Sequence, residues 1–212
     1  MRWPSLEELA RHAPIPDGVT LRHWTDAELE QLPDLIRRWY PAATVGAESS
    51  FLDPAFLRRE LVRPDAPERD LLSWAICEHG AVVGFQSFQR DVGARALHGR
   101  LGFLSPEARA GFLGALGFSL FEALGRLSGA ELLQVWVTLA HKGQQLFAER
   151  RGFALAGLVP GFDRDLLPDG TVKRVMEALY VKLLVEPSAL SWPDEAALTP
   201  RTRAALQALF PR

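Results

Sequence analysis

The stretch from Ala94 to Leu139 constrains this chain of 212 residues more than any other. A strand-like run, Ala94 to Leu104, leads through small residues into a helix-like run, Gly114 to Leu127. Leu113, Leu116, Leu120, Leu124 and Leu127 recur there at helical spacing. Leu133, Val135, Val137 and Leu139 then alternate strictly, which is the period of a strand. A strand joined to a strand through one helix is a crossover, so the two strands are expected to be parallel. The junction before the helix reads Arg109-Ala110-Gly111-Phe112-Leu113-Gly114-Ala115. Amides at a helix start point outward unpaired, at the positive end of the helix dipole. Such a start seats a phosphate or pyrophosphate. Small residues let the backbone close on that ligand, and Arg109 adds a charge. The alternative is a helix entry with no ligand, because lone glycine-rich turns are common.

The flanking sequence supplies the rest of a mixed sheet. Ser5 caps a short helix to His12, inside an N-terminal extension, residues 1–18, that ends in a proline-rich breaker. Val19 to Trp24 suits a strand. Thr25 with Glu28 forms a capping box, and a helix to about Tyr40 is expected, with Leu29, Leu32, Leu35 and Ile36 as its apolar stripe. Asp53-Pro54 opens another short helix, and Arg63 to Asp70 reads as a loop. Leu72, Trp74 and Ile76 alternate with Ser73, Ala75 and Cys77 in a strand. His79-Gly80 and Asp91-Val92-Gly93 are hairpin turns on either side of Ala81 to Arg90, giving a three-strand meander. After the crossover, His141 to Arg151 forms a helix closed by Gly152. Phe153 to Val159 is a strand, Asp163 to Gly170 a polar loop and Val172 to Val185 a long last strand. Residues 186–212 are a C-terminal extension with a helix from Thr199 to Leu209. The class is α+β, a mixed sheet with helices on its faces.

Composition excludes several functions. Lys and Arg total 24 against 26 Asp and Glu, a net charge of −2, so bulk charge offers no reason to bind nucleic acid or an anionic membrane. The only cysteine, Cys77, permits no internal disulfide and no thiolate metal cluster, and a cytoplasmic location fits. The N-terminus lacks the apolar core of a signal peptide, and no apolar run reaches the ~18 residues of a membrane span. His12, His23 and His79 have no partners at ligand spacing, so no metal is expected. No G-x-S-x-G elbow supports a serine nucleophile. Trp3, Trp24, Trp39, Trp74, Trp136 and Trp192 belong to different segments and read as packing residues.

The element order, with a phosphate-type turn after the third meander strand, resembles the GNAT superfamily of acyl-CoA-dependent N-acyltransferases over about residues 19–185. The family's turn reads Q/R-x-x-G-x-G/A. Arg109 and Gly114 match it, Phe112 stands at the middle glycine, and Gly111 falls one place early. A second landmark, a helix ending in Gly-Phe before a strand and a further glycine, matches Arg151-Gly152-Phe153 and Gly157. The resemblance implies a GNAT-like central sheet of about seven mostly antiparallel strands with helices on both faces. It implies coenzyme A pyrophosphate on the amides of Arg109, Ala110, Gly111, Phe112, Leu113, Gly114 and Ala115. The pantetheine arm would run beside the strand ending at Leu104, where the fourth and fifth strands splay. Amides near Phe103 and Leu104 would polarise the thioester carbonyl of acetyl-CoA or another acyl-CoA. A small-molecule or peptide amine would attack directly, which calls for a base and for an acid at the leaving thiolate.

Residues that could do this chemistry are few. Glu177 shares parity with Val175, Leu179, Val181 and Leu183, which puts a carboxylate on a mostly apolar face where burial raises its pKa toward that of a base. The alternative is a solvated face, or a pair with Arg174 or Lys173. His98 shares parity with Arg100, opposite Leu97, Leu101 and Phe103, and faces either an acceptor cleft or solvent. His141, followed by Gln144 and Gln145, either touches the cofactor or caps the helix turn. Many GNAT members carry an Asn at the position of His141 and a Tyr acid at that of Ala148. Either Tyr180 or a water would substitute as the acid, or the acid is dispensable, since a thiolate is a good leaving group. Phe103, Phe112 or Phe147 would limit acyl length. The alternative function is a degenerate GNAT fold that binds coenzyme A, or no cofactor, and regulates a partner. The two extensions would then form its contact surface or a homodimer.

Overall fold

The computed structural model describes residues 1–109 and 113–211, the side chains of residues 113–115 excepted. Seven strands form one sheet: β1 (Val19–Arg22), β2 (Leu71–Glu78), β3 (Ala81–Asp91), β4 (Ala96–Leu104), β5 (Leu132–Thr138), β6 (Ala154–Leu166) and β7 (Val172–Leu183). Their spatial order is β1-β2-β3-β4-β5-β7-β6. Every pairing is antiparallel except β4–β5, which is parallel, as the crossover requires.

The helices are α1 (Leu6–His12), α2 (Asp26–Trp39), α3 (Pro54–Glu60), the short α4 (Pro106–Arg109), α5 (Leu113–Ser128), α6 (Gly143–Arg150) and α7 (Pro200–Leu209). Local chemistry explains their ends. The Thr25–Glu28 capping box is complete: Thr25 Oγ1 accepts from Glu28 N at 3.3 Å, and Glu28 Oε2 accepts from Thr25 N at 3.0 Å. Gly129 (φ +76°) and Gly152 (φ +74°) follow α5 and α6 in the left-handed conformation that other residues rarely adopt.

Two apolar layers sandwich the sheet. On one face, α1, α5 and α6 cover Leu72, Trp74, Phe88, Leu97, Leu133, Val137, Ala178 and Tyr180. Leu9 of α1 is fully buried there. On the other face, Leu29, Leu32, Ile36, Phe51 and Leu57 of α2, α3 and the segment between them pack on Leu71, Phe85, Leu101 and Phe103. β2 is therefore buried on both faces.

Two sequence expectations are corrected. Leu97, Leu101 and Phe103 do not share a face. Gln86 pairs with Gly102 and Phe88 with Gly99, so β4 holds one more residue than β3 between these rungs, a β-bulge that resets the alternation. Leu97 enters the α5 layer, whereas Leu101 and Phe103 enter the α2 layer. Asp163 to Gly170 is not a loop throughout. β6 runs to Leu166, and Asp163, Arg164 and Asp165 pair with Val175, Arg174 and Lys173. Pairing across this hairpin outweighs the low strand propensity of Asp.

The parallel ladder between β4 and β5 is short. It runs from Ala96↔Leu132 to Gly99↔Val135 and stops, although β4 continues to Leu104 and β5 to Thr138. Beyond this rung the two strands diverge around a wedge. β5 pairs with β7 only from Glu177 onward, so Val172–Met176 of β7 and their β6 partners project past the sheet as a two-stranded ribbon.

Candidate active site

The wedge between β4 and β5 is bordered by three elements whose positions follow from local sequence. Ser105 and Pro106 end β4 and start α4. Ser105 O accepts from Arg109 N at 2.9 Å, and Ser105 Oγ accepts from Ala108 N at 3.2 Å, the cap-then-proline pattern of a helix start. α5 follows from Leu113, and the first turn of a helix in general has amides without an intrahelical partner. Opposite the end of β4, Thr138 at the tip of β5 pairs with Glu177 of β7.

Register places a polar wall on the α2 face of the sheet. His98 pairs with Gln134, and Thr138 with Glu177, so His98, Gln134, Trp136, Thr138 and Glu177 share one face. Ala178 and Tyr180 take the other face. Glu177 is half-buried. Burial pushes its carboxyl up to about 7, and the nearby carboxylates of Asp163, Asp165 and Glu48 add to the shift. Asp165 is raised as well, by burial first and then by Asp163. Burial lowers the His98 imidazole. The Tyr40 phenol is pushed up to about 12, by burial first and then by the fields of Asp165 and Glu177, so it stays protonated.

A segment between α2 and α3 roofs this wall. Its Pro41–Thr44 turn lies against β6. Asp163 Oδ1 accepts from Ala47 N at 2.7 Å and from Arg164 N at 2.8 Å. A Cβ at Gly46 would lie 2.4 Å from Asp163 Oδ1 and 2.5 Å from Arg164 O, so only glycine permits this approach. Glu48 of the roof holds Arg100 Nε at 2.9 Å, and Arg100 also donates to Gln89 on β3. The stacked rings of Trp136 and Phe162, with centroids 3.7 Å apart, join β5 to β6 on the sheet.

Solved structures similar to this fold include several acetyltransferases. RimL, a ribosomal alpha-N-protein acetyltransferase in complex with coenzyme A, is similar at a TM-score of 0.61 and 12% identity, over 80% of this chain and 96% of that one. MccE, a microcin self-immunity acetyltransferase in complex with acetyl-CoA and AMP, gives 0.60 at 17%, over 84% and 99%. Spermidine N-acetyltransferase SpeG from Vibrio cholerae gives 0.59 at 12%, over 79% and 95%. The chain has the GNAT fold. The amino-acid sequence itself matches no family model and no curated protein.

Within the GNAT fold the sequence candidates fall in three groups. Phe103 and Leu104 lie on the stretch of β4 that borders the wedge, but the Phe103 ring turns away and stacks on Phe85 at 5.5 Å in the α2 layer. Arg109 belongs to α4, and its Nη2 donates to Trp39 O at 2.8 Å and Leu104 O at 3.0 Å. It ties the end of α2 to the end of β4. Ala110, Gly111 and Phe112 lie outside the described residues; Leu113, Gly114 and Ala115 form the backbone of the first turn of α5. His141 is exposed and makes no cap bond to α6, whose N-cap is Lys142; Gln144 is half-buried in the first turn. Ala148 is fully buried.

Of the three proposed catalytic side chains, the structure brings Glu177 and His98 to one face and sets Tyr180 on the other. The Tyr180 hydroxyl donates to Glu149 Oε1 at 2.9 Å, and burial followed by this bond pushes its pKa up to about 12. Neither Lys173 nor Arg174 holds Glu177. Arg174 Nη1 instead donates to Gly161 O at 2.8 Å. Sequence reasoning missed Tyr40, Glu48, Asp163 and Asp165. Asp163 and Asp165 were read only as part of a polar loop, and nothing local shows that a hairpin carries them back to Glu177.

No helix among the described residues is long and apolar enough to cross a membrane.

Proposed function

We propose that the protein transfers an acetyl or other short acyl group from an acyl-CoA to an amine, by direct attack in a ternary complex. The observation that carries this reading is Glu177. It is a half-buried carboxyl held near 7, at the rung where β5 ends beside the open wedge. A base working near neutral pH is most effective with a pKa close to that value.

The residues present fit an acyl-CoA. Amides of the first turn of α5 would take the pyrophosphate, with the free edge of β4 from Gly102 to Leu104 beside the pantetheine arm. The thioester supplies an activated acyl carbon and a good leaving group. Glu177 would accept a proton from the incoming ammonium, leaving the neutral amine as nucleophile. His98, kept neutral by burial, would orient the acceptor from the same face. The carboxylates of Asp163, Asp165 and Glu48 would favour an acceptor that arrives charged.

Calorimetric titration with acetyl-CoA, followed by thiol release across a panel of amines, tests the reading. Binding in the micromolar range and turnover with an amine support it; no binding at high micromolar ligand overturns it. Binding without turnover would favour a coenzyme-A-binding regulatory protein, a reading to which the Arg109 ties across the end of β4 and the buried Ala148 lend weight.

A further inference from the structure

We propose that Tyr40, in the turn at the end of α2, is the proton donor to the leaving sulfur. The inference rests on the acyl-transfer reading and supplies the half of its chemistry that Glu177 leaves undone. The chain holds two tyrosines, Tyr40 and Tyr180. Tyr180 lies on the α5 face with its hydroxyl on Glu149 Oε1, away from the face that carries Glu177. Ala148 is buried and has no side-chain proton to give.

Tyr40 sits where the chain crosses the wedge. The residue before it is tied to the end of β4. Arg109 Nη2 donates both to Trp39 O at 2.8 Å and to Leu104 O at 3.0 Å, and the Trp39 ring meets Phe103 edge-on at 6.1 Å. The turn after it, Pro41–Thr44, lies against β6. β4 borders the wedge on one flank, and β7 and β6 lie beyond β5 on the other, so a residue joined to both sides spans the gap. Two hydrogen bonds fix its backbone: Tyr40 N donates to Ile36 O at 2.8 Å, and Tyr40 O accepts from Ala43 N at 3.2 Å. The half-buried phenol feels Asp165, Glu177 and Asp163 from one flank and Arg109 from the other.

Burial, then these carboxylates, push the phenol up to about 12, so a free phenolate is disfavoured. The step is therefore a relay. At the moment of exchange the attacking nitrogen and the leaving sulfur are bonded to one carbon, so a single hydroxyl reaches both. As the carbon–sulfur bond breaks, its electron pair goes to sulfur. Tyr40 gives its proton to that sulfur and takes the second proton of the nitrogen. Glu177 has taken the first from the ammonium and releases it to water. The sum is an amide, a thiol and one proton, with Tyr40 and Glu177 restored.

The test uses the whole chain and Tyr40→Phe, which keeps the ring and removes the hydroxyl. The first readout needs no turnover. It is the ionisation of the thiol of bound coenzyme A, followed by the ultraviolet absorbance of the thiolate across a pH series. A hydroxyl that donates to sulfur favours the thiolate. The midpoint should therefore lie about one pH unit lower in wild type than in Tyr40→Phe, a ~tenfold larger ionisation constant. Fluorotyrosine in place of tyrosine, a more acidic phenol of nearly the same shape, should lower it further. The second readout is turnover with acetyl-CoA and an amine: Tyr40→Phe should lose about 10²-fold in kcat, with the KM for the amine and the acetyl-CoA affinity near wild type. Equal midpoints in wild type and Tyr40→Phe, an unchanged kcat, or a change confined to KM overturns the assignment and leaves the transferase reading standing. No binding of coenzyme A overturns both.

Discussion

At the residue scale, Glu177 carries the largest functional consequence. Replacing it with Gln keeps the shape and removes the base, so turnover in the amine assay should fall by about 10²–10⁴-fold with little change in acetyl-CoA affinity. The wild-type rate should rise with pH through about 7, the value to which burial and the neighbouring carboxylates move Glu177, and the variant should lose that limb. The same group affects stability with a definite sign. Its folded pKa of about 7 lies above the ordinary 4.5, so the folded chain binds the proton more tightly. Stability therefore falls as pH rises from about 4.5 to about 7 and stays reduced above. After discounting for solvent screening of a half-exposed group, Glu177→Gln should gain on the order of 1 kcal/mol over wild type near pH ~8 and nothing near pH ~4. Urea unfolding at both pH values measures this. The alternation around Glu177 was legible in the sequence, because period two in a strand is a local property. The carboxylates that complete its field were not, because Asp163 and Asp165 reach it through pairing across a hairpin.

At the element scale, capping chemistry was the most legible part of the chain. Thr25 and Glu28 are three residues apart, and their two reciprocal hydrogen bonds need no distant partner. Thr25→Ala should lower stability by about 1 kcal/mol in thermal or urea unfolding. The roof is different. Asp163 anchors the segment after α2 by accepting from Ala47 N across 116 positions of sequence. Asp163→Ala should release the roof, raising the KM for the amine while acetyl-CoA affinity stays near wild type. Gly46→Ala should do the same by steric displacement, since its Cβ would meet backbone as well as side chain. The β4 bulge marks the limit of pattern reading in strands. One inserted residue sends Leu101 and Phe103 to the face opposite Leu97, and an alternating sequence carries no mark of that insertion.

At the scale of the whole molecule, the sheet is assembled around one parallel contact that ends early. α1 lies far from the wedge in sequence yet Leu9 is sealed in the layer that also holds α5. Leu9→Ala should cost about 2–5 kcal/mol, visible as a lower urea midpoint with an unchanged slope. The parallel relation of β4 and β5 was legible in the sequence from Ala94 to Leu139, because a helix between two strands commonly carries the chain back to run in the same direction. The Thr25–Glu28 cap and the hairpin turns at His79-Gly80 and Asp91-Gly93 were legible for a simpler reason, since each depends on residues within a few positions of one another. The wedge, the bulge, and the opposite faces of Glu177 and Tyr180 were settled only by the folded structure. Each depends on register between strands far apart in the chain, and register is a compromise among all the contacts of the sheet at once.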